Sequence, residues 1–273
     1  MGRRRILGSM APVRRRLVLL LVALVVVAAL AVGGTAIWRS VGDRVTPVAQ
    51  DRPGPVLLVP GYGGSQTALS VLAGRLRVDG RDATVVQLAG DGTGDLRVQA
   101  EVLSAAAGAA LARTGAPSVD VVGYSAGGVV ARLWVRDYGG ASLARRVITL
   151  GSPHHGTTLA GLAESVVPDQ CPLACQQLVP DSDLLRTLNA GDETPAGPEF
   201  ISVWTTADET VTPPDSARLD GALNLVVQDI CAGSRVAHGQ LPTDPVVSSI
   251  VELQLGNRAP EPLSAADCQR LGP

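Results

Sequence analysis

A strand that runs into a helix with almost no chain between them restricts this fold most. Val119–Val122 is a β-branched run, and Ala126–Tyr138 carries apolar residues at helical spacing. Only Gly123-Tyr124-Ser125 separates them. So tight a reversal leaves no room for side chains two positions either side of the serine, and Gly123 and Gly127 stand at those positions. Val121-Val122-Gly123-Tyr124-Ser125-Ala126-Gly127-Gly128 therefore meets the pattern G-x-S-x-G with a strand before it and a helix after it. In that setting the serine is held in a strained conformation with its hydroxyl pushed into the open. The bare pattern is weak in a chain with 31 glycines, but its placement makes it specific.

The rest of the chain has the same rhythm. Val56–Val59, Thr84–Leu88, Val119–Val122, Val147–Leu150, Phe200–Thr205 and Leu223–Val227 read as strands. Their nearly unbroken apolar character is that of parallel strands covered on both faces. Helical patterns at Ser65–Val78, Asp95–Arg113, Ala126–Tyr138 and Asp244–Leu255 alternate with them, which predicts a doubly wound α/β sheet. The connection from Leu150 to Phe200 is too long for a simple crossover and holds Pro168, Pro180 and Pro195. It predicts a lid-like insertion at about 152–199, with a short helix Asp183–Leu188 capped by Ser182.

The N-terminus reads as a separate segment, 1–38. Six arginines precede an apolar run from Leu17 that continues weakly to Trp38, long enough for a bilayer core and oriented with the N-terminus inside. This predicts a transmembrane signal-anchor; cleavage near Gly34-Thr35-Ala36 is the alternative, giving a secreted protein. Residues 39–54 read as a linker, and 55–273 as the globular domain. Export to the outer face of a cell membrane suits the four cysteines, Cys171, Cys175, Cys231 and Cys268, which can pair in three ways in an oxidising compartment. Pairing Cys171 with Cys175 and Cys231 with Cys268 is favoured, because the second bridge would tie the C-terminal tail beside His238. Their spacing carries no zinc signature. Beyond residue 38 there are 17 arginines against 25 acids, a net of −8. That balance argues against nucleic acid as a partner and leaves neutral lipids or esters open. A monomer is expected.

A serine so placed needs a base, an acid and donors for a developing oxyanion. In folds built on this turn they follow in the order Ser, Asp or Glu, His. Of three histidines, His154 and His155 follow Ser125 too closely, whereas His238 comes after the last predicted strand. Asp208 directly follows Phe200–Thr205 and is the favoured acid; Glu209 and Asp215 are its rivals. The oxyanion donors expected are the N–H of Ala126 and one from Pro60-Gly61-Tyr62-Gly63-Gly64. That glycine-rich loop does not read as a phosphate cradle, because no Gly-Lys-Ser/Thr follows and the chain has no lysine.

Together, Pro60-Gly61-Tyr62-Gly63-Gly64, Gly123-Tyr124-Ser125-Ala126-Gly127-Gly128, Gly151-Ser152-Pro153-His154-His155-Gly156-Thr157, Asp208-x-x-Val211 and Val236-Ala237-His238-Gly239 resemble the compact bacterial class 2 lipases over about residues 54–256. The resemblance implies an α/β-hydrolase fold: a mostly parallel sheet of about six strands with helices on both faces. It implies Ser125, Asp208 and His238 as a triad and the N–H groups of Tyr62 and Ala126 as oxyanion donors. It also implies triacylglycerol or other carboxylic ester substrates, with no cofactor. Pro60 departs from the family, many of whose members have histidine before the glycine. An exported acyltransferase or thioesterase with the same triad, or an inactive lipid-binding envelope protein, are the alternative functions.

Overall fold

A computed structural model of the chain describes residues 45–272 and the single position Leu21. Apart from Leu21, the expected anchor segment 1–38 lies outside the described residues. Among those residues no helix is long and apolar enough to cross a membrane. The strands are β1 (Val56–Val59), β2 (Ala83–Val85), β3 (Val119–Tyr124), β4 (Ala144–Leu150), β5 (Glu199–Trp204) and β6 (Leu223–Val226). The helices are α1 (Thr67–Val78), α2 (Leu96–Thr114), α3 (Ala126–Asp137), α4 (Thr158–Val166), α5 (Leu173–Gln177), α6 (Asp183–Leu188), α7 (Val227–Ile230), α8 (Pro245–Gln254) and α9 (Cys268–Leu271).

All six strands form one sheet in the order β2-β1-β3-β4-β5-β6, with every neighbouring pair parallel. Alternate residues of the inner strands feed two separate cores. Leu57, Val59, Val121 and Val147 join one apolar cluster with Leu103 of α2 and Val129 of α3. Val56, Leu58, Val122 and Ile148 join another with Leu72 of α1 and Ile250 of α8. Burial on both faces is why these strands carry no polar alternation.

Local chemistry sets the helix ends. The Asp95 carboxylate accepts the Arg97 N–H at the start of α2, and Gly115 (φ 68°) closes that helix in the left-handed region. Asp244 caps α8 through the Val247 N–H, with Pro245 as its first residue, and Ser182 caps α6. β2 and β4 differ most from the sequence reading, the other strands by two residues or fewer. β2 stops at Val85, although Val86 and Leu88 stay buried beyond it. β4 begins three residues early, at Ala144-Arg145-Arg146, because both arginines are buried with their charge met.

Arg146 lies 3.5 Å from the Glu199 carboxylate, and the partner of Arg145 is Asp120 on β3, itself fully buried. Arg145 grips its carboxylate with two bonds (2.8 and 2.7 Å), and Arg81 adds a third (2.6 Å). The same two guanidiniums donate to the carbonyls of Leu255 and Gly256 just past α8, and to those of Gln50 and Gly54. The last residues of the expected linker are thus packed onto the sheet. Two disulfides join Cys171 to Cys175 and Cys231 to Cys268, the favoured pairing.

This topology leaves β1 between β2 and β3, so the connections leaving β1 (to β2) and β3 (to β4) turn in opposite directions. A crevice opens at the C-terminal ends of the strands at such a point. Asp120→Ala should cost about 3–5 kcal/mol in urea unfolding, because it strands a buried guanidinium. A loss below about 1 kcal/mol would show that the arginines are satisfied by carbonyls alone.

Candidate active site

Ser125 sits at the crevice between β3 and α3 with φ 53° and ψ −128°, a conformation that residues with a side chain rarely adopt. The turn closes because its flanks carry no side chains. A Cβ at Gly123 would come within 2.6 Å of the Gly127 carbonyl and the Gly128 nitrogen. One at Gly127 would press on the carbonyl oxygens of Val59 and Pro60. Backbone therefore packs on backbone from β1 to α3. Ser125 N–H is also held, donating to the Leu150 carbonyl at the end of β4 (2.9 Å).

His238 reaches this serine from a loop after β6, and Asp208 from the loop after β5. Nε2 of His238 lies 3.0 Å from the Ser125 hydroxyl oxygen, and Nδ1 lies 2.7 Å from Oδ2 of Asp208. An ionised carboxylate can only accept, so the imidazole proton belongs on Nδ1, and Nε2 turns its lone pair to the serine O–H. The Asp208 carboxylate is buried and oriented from behind, its other oxygen accepting the N–H groups of Thr210 (2.9 Å) and Val211 (2.8 Å). The rivals Glu209 and Asp215 are exposed.

The His238 loop has little regular structure and is tethered instead. Thr205 donates to the Val236 carbonyl (2.7 Å), and the Gln240 side chain accepts the Ala237 N–H (3.0 Å). Tyr124 donates its hydroxyl to the His238 carbonyl (3.2 Å), with the two rings 5.2 Å apart. Burial, then the nearby Asp208 charge, push the Tyr124 phenol up to about 12, so it remains a neutral donor. Beneath the pair lies Gly151 (φ 56°), where a Cβ would approach both Nδ1 of His238 and Oδ2 of Asp208 to 3.2 Å. Sequence reasoning missed these supports. Asp followed by residues free to donate two and three positions on is the one signal that could have singled out Asp208, as an Asx turn.

Ala126 is buried as the first residue of α3, so its N–H has no acceptor inside the helix. Tyr62 is half-exposed on a turn closed by Gly64 N–H to the Gly61 carbonyl (3.0 Å). Gly61 lies so near that a Cβ there would meet the Ser125 Cβ at 2.9 Å. Both residues thus lie next to the serine. A cavity of about 310 Å³ opens beside Ser125 and Tyr62, walled by Leu159, Ala160 and Ala163 of the insertion.

His154 and His155 stand apart from this chain of groups. His155 pairs with Glu193 (2.9 Å). His154 is fully buried. Thr149 spends its proton on Ser202 (3.0 Å), so it accepts the His154 Nε2–H (3.1 Å), and Asn189 donates to the His154 carbonyl (2.9 Å).

A family model for lipases of class 2 matches residues 108–249, more than half of the chain. The chain belongs to the class 2 lipase family. No curated protein matches it in sequence. Among solved structures, Aspergillus fumigatus lipase B is 21% identical with a TM-score of 0.69, over 80% of this chain and 56% of that one. The mature form of Bacillus licheniformis lipase BlEst2 is 22% identical with a TM-score of 0.54, over 66% and 84%. The product of gene lin2722 of Listeria innocua is 14% identical with a TM-score of 0.56, over 77% and 96%. At such identities the likeness carries the fold alone, and this class 2 lipase has the α/β-hydrolase fold. It spans little more than half the length of the Aspergillus enzyme.

Burial foremost, then the charge of Arg132, holds the His154 imidazole well below its usual value, so it is neutral in the fold. As pH falls below about 6.5 the unfolded chain takes up a proton at this position that the native chain refuses. Its contribution is complete above that pH and is lost on acidification, at up to about 1.4 kcal/mol per pH unit. Urea unfolding at pH 7.5 and 5.5 should therefore show a shallower acid loss in His154→Gln than in the parent. Equal slopes would contradict it.

Proposed function

We propose that this chain is a serine carboxylic ester hydrolase, a lipase or esterase, working through an acyl-enzyme on Ser125. What carries the reading is the unbroken line of groups from Ser125 Oγ to His238 Nε2 (3.0 Å) and from His238 Nδ1 to Asp208 (2.7 Å). Membership of the class 2 lipase family adds support.

Each step follows from that line. The Ser125 oxygen attacks the ester carbonyl as its proton passes to Nε2 of His238. The imidazolium is stabilised by Asp208, whose orientation is fixed by the Thr210 and Val211 N–H groups. The N–H groups of Tyr62 and Ala126 hold the oxyanion, a role worth about 3 kcal/mol per donor. Nε2 then returns the proton to the departing alcohol. Water, deprotonated by the same nitrogen, cleaves the acyl-enzyme and releases the acid. Every proton moves on one imidazole, so no cofactor is needed.

Ser125→Ala and His238→Ala should each lower kcat on p-nitrophenyl butyrate by on the order of 10⁴-fold or more, with melting temperatures near that of the parent. Hydrolysis by Ser125→Ala at the parental rate would remove the serine from the mechanism.

The reading also places the enzyme outside the cytoplasm, held by residues 1–38. The arginine-flanked apolar run and the two disulfides, which persist in oxidising compartments, support it. Full-length protein should sediment with membranes and be shaved from intact spheroplasts by protease. Protease resistance in spheroplasts with digestion after lysis would place the domain inside.

A further inference from the structure

The cavity beside Ser125 has the insertion as its outer wall, and that wall is tied down on both sides. On one side, Thr157 donates its hydroxyl to the Thr210 carbonyl (2.7 Å) and accepts the Thr212 N–H (3.1 Å). Thr158 N–H donates to the Thr212 carbonyl (2.8 Å). These bonds fasten the start of α4 to the loop that carries Asp208. On the other side, the buried Gln177 accepts the Leu96 N–H at the head of α2 (2.8 Å) and donates to Asp95 (2.7 Å). Ala174 N–H donates to the Thr93 carbonyl (3.0 Å). Between these anchors the Cys171–Cys175 bridge closes the turn into α5, and Cys175 itself lines the cavity.

A segment swinging clear of the site would have to break both sets of bonds, including those of a buried amide that would be left unpaired. The cavity it walls is also small. About 310 Å³ is room for roughly ten groups of the size of a water or a methylene. The ester carbonyl and the first atoms of the alcohol use part of that space. About four to eight carbons of acyl chain fill the rest. Small residues of α4, Ala160 and Ala163, line the same cavity as Ser125, together with Leu178.

We propose that α4 and α5 form a fixed wall rather than a moving lid, and that Ala163 sets an upper limit on acyl length, making the substrates esters of short to medium acyl chains. This rests on Ser125 being the nucleophile.

The test uses the full-length protein and p-nitrophenyl esters from acetate to palmitate, in detergent dispersion. The parent's kcat/KM should peak between butyrate and octanoate and fall at least tenfold by palmitate. In Ala163→Leu the octanoate-to-acetate ratio of kcat/KM should fall at least tenfold, because the added carbons occupy the chain's path. Rate against tributyrin concentration should also rise smoothly through the solubility limit, since nothing has to open. A parental optimum at palmitate, an Ala163→Leu profile superimposable on the parent's, or a step in rate at the solubility limit would each overturn the fixed wall. If Ser125→Ala is inactive while one of these occurs, the wall fails and the hydrolase stands. If Ser125→Ala retains activity, the hydrolase reading falls first.

Discussion

The contact on which the rest of this molecule depends is backbone against backbone, where α3 leaves β3 and lies on the end of β1. Gly127 has no Cβ to hold the Val59 and Pro60 carbonyls away, and Gly123 none to hold off the first turn of the helix. The approach is close enough that the chain must reverse within one residue, and the residue that takes the unfavourable φ of 53° is Ser125. Strain there is sustained because the sheet over-determines it. Leu150 accepts the serine N–H on one side, and Gly61 crowds its Cβ on the other.

From that point the site is assembled by strand order. Loops after β1, β3, β4, β5 and β6 all end on one edge of a parallel sheet, and each brings a single part: Tyr62, Ser125, Gly151, Asp208 and His238. The opposite edge is closed by charge. Arg81 and Arg145 on Asp120 gather the carbonyls beyond α8 and the entering chain at Gln50 and Gly54. Stability and chemistry thus occupy different ends of the same strands, so each end can vary without the other.

Much of this was legible in the sequence, and the gaps have identifiable causes. All six strands announced themselves as apolar runs, the inner ones because both sheet faces are covered. The start of β4 was hidden because Arg145 and Arg146 read as surface residues, and Asp120, which neutralises Arg145, lies 25 positions away. β2 was placed one residue late and carried three residues too far, because Val86 and Leu88 are buried without belonging to a strand. The turn at Ser125 and the order of Asp208 and His238 along the chain are legible, and the structure brings these three side chains together. The supports were not found: a tyrosine hydroxyl donating to the His238 carbonyl and a glycine under the Asp–His pair leave no local pattern. Gln177 was equally silent. An amide becomes an anchor only when its two partners, Leu96 and Asp95, arrive from 80 residues upstream or thereabouts.

The bridge from Cys231 to Cys268 has a practical meaning for anyone handling this protein. It joins the stretch leading to His238 to α9, which lies beyond α8. Production in a reducing cytosol, or trimming of what looks like a dispensable tail, would leave that stretch without its clasp. In such preparations the His238 stretch would rest on the Thr205, Gln240 and Tyr124 bonds alone, so active-site titre would fall ahead of total protein.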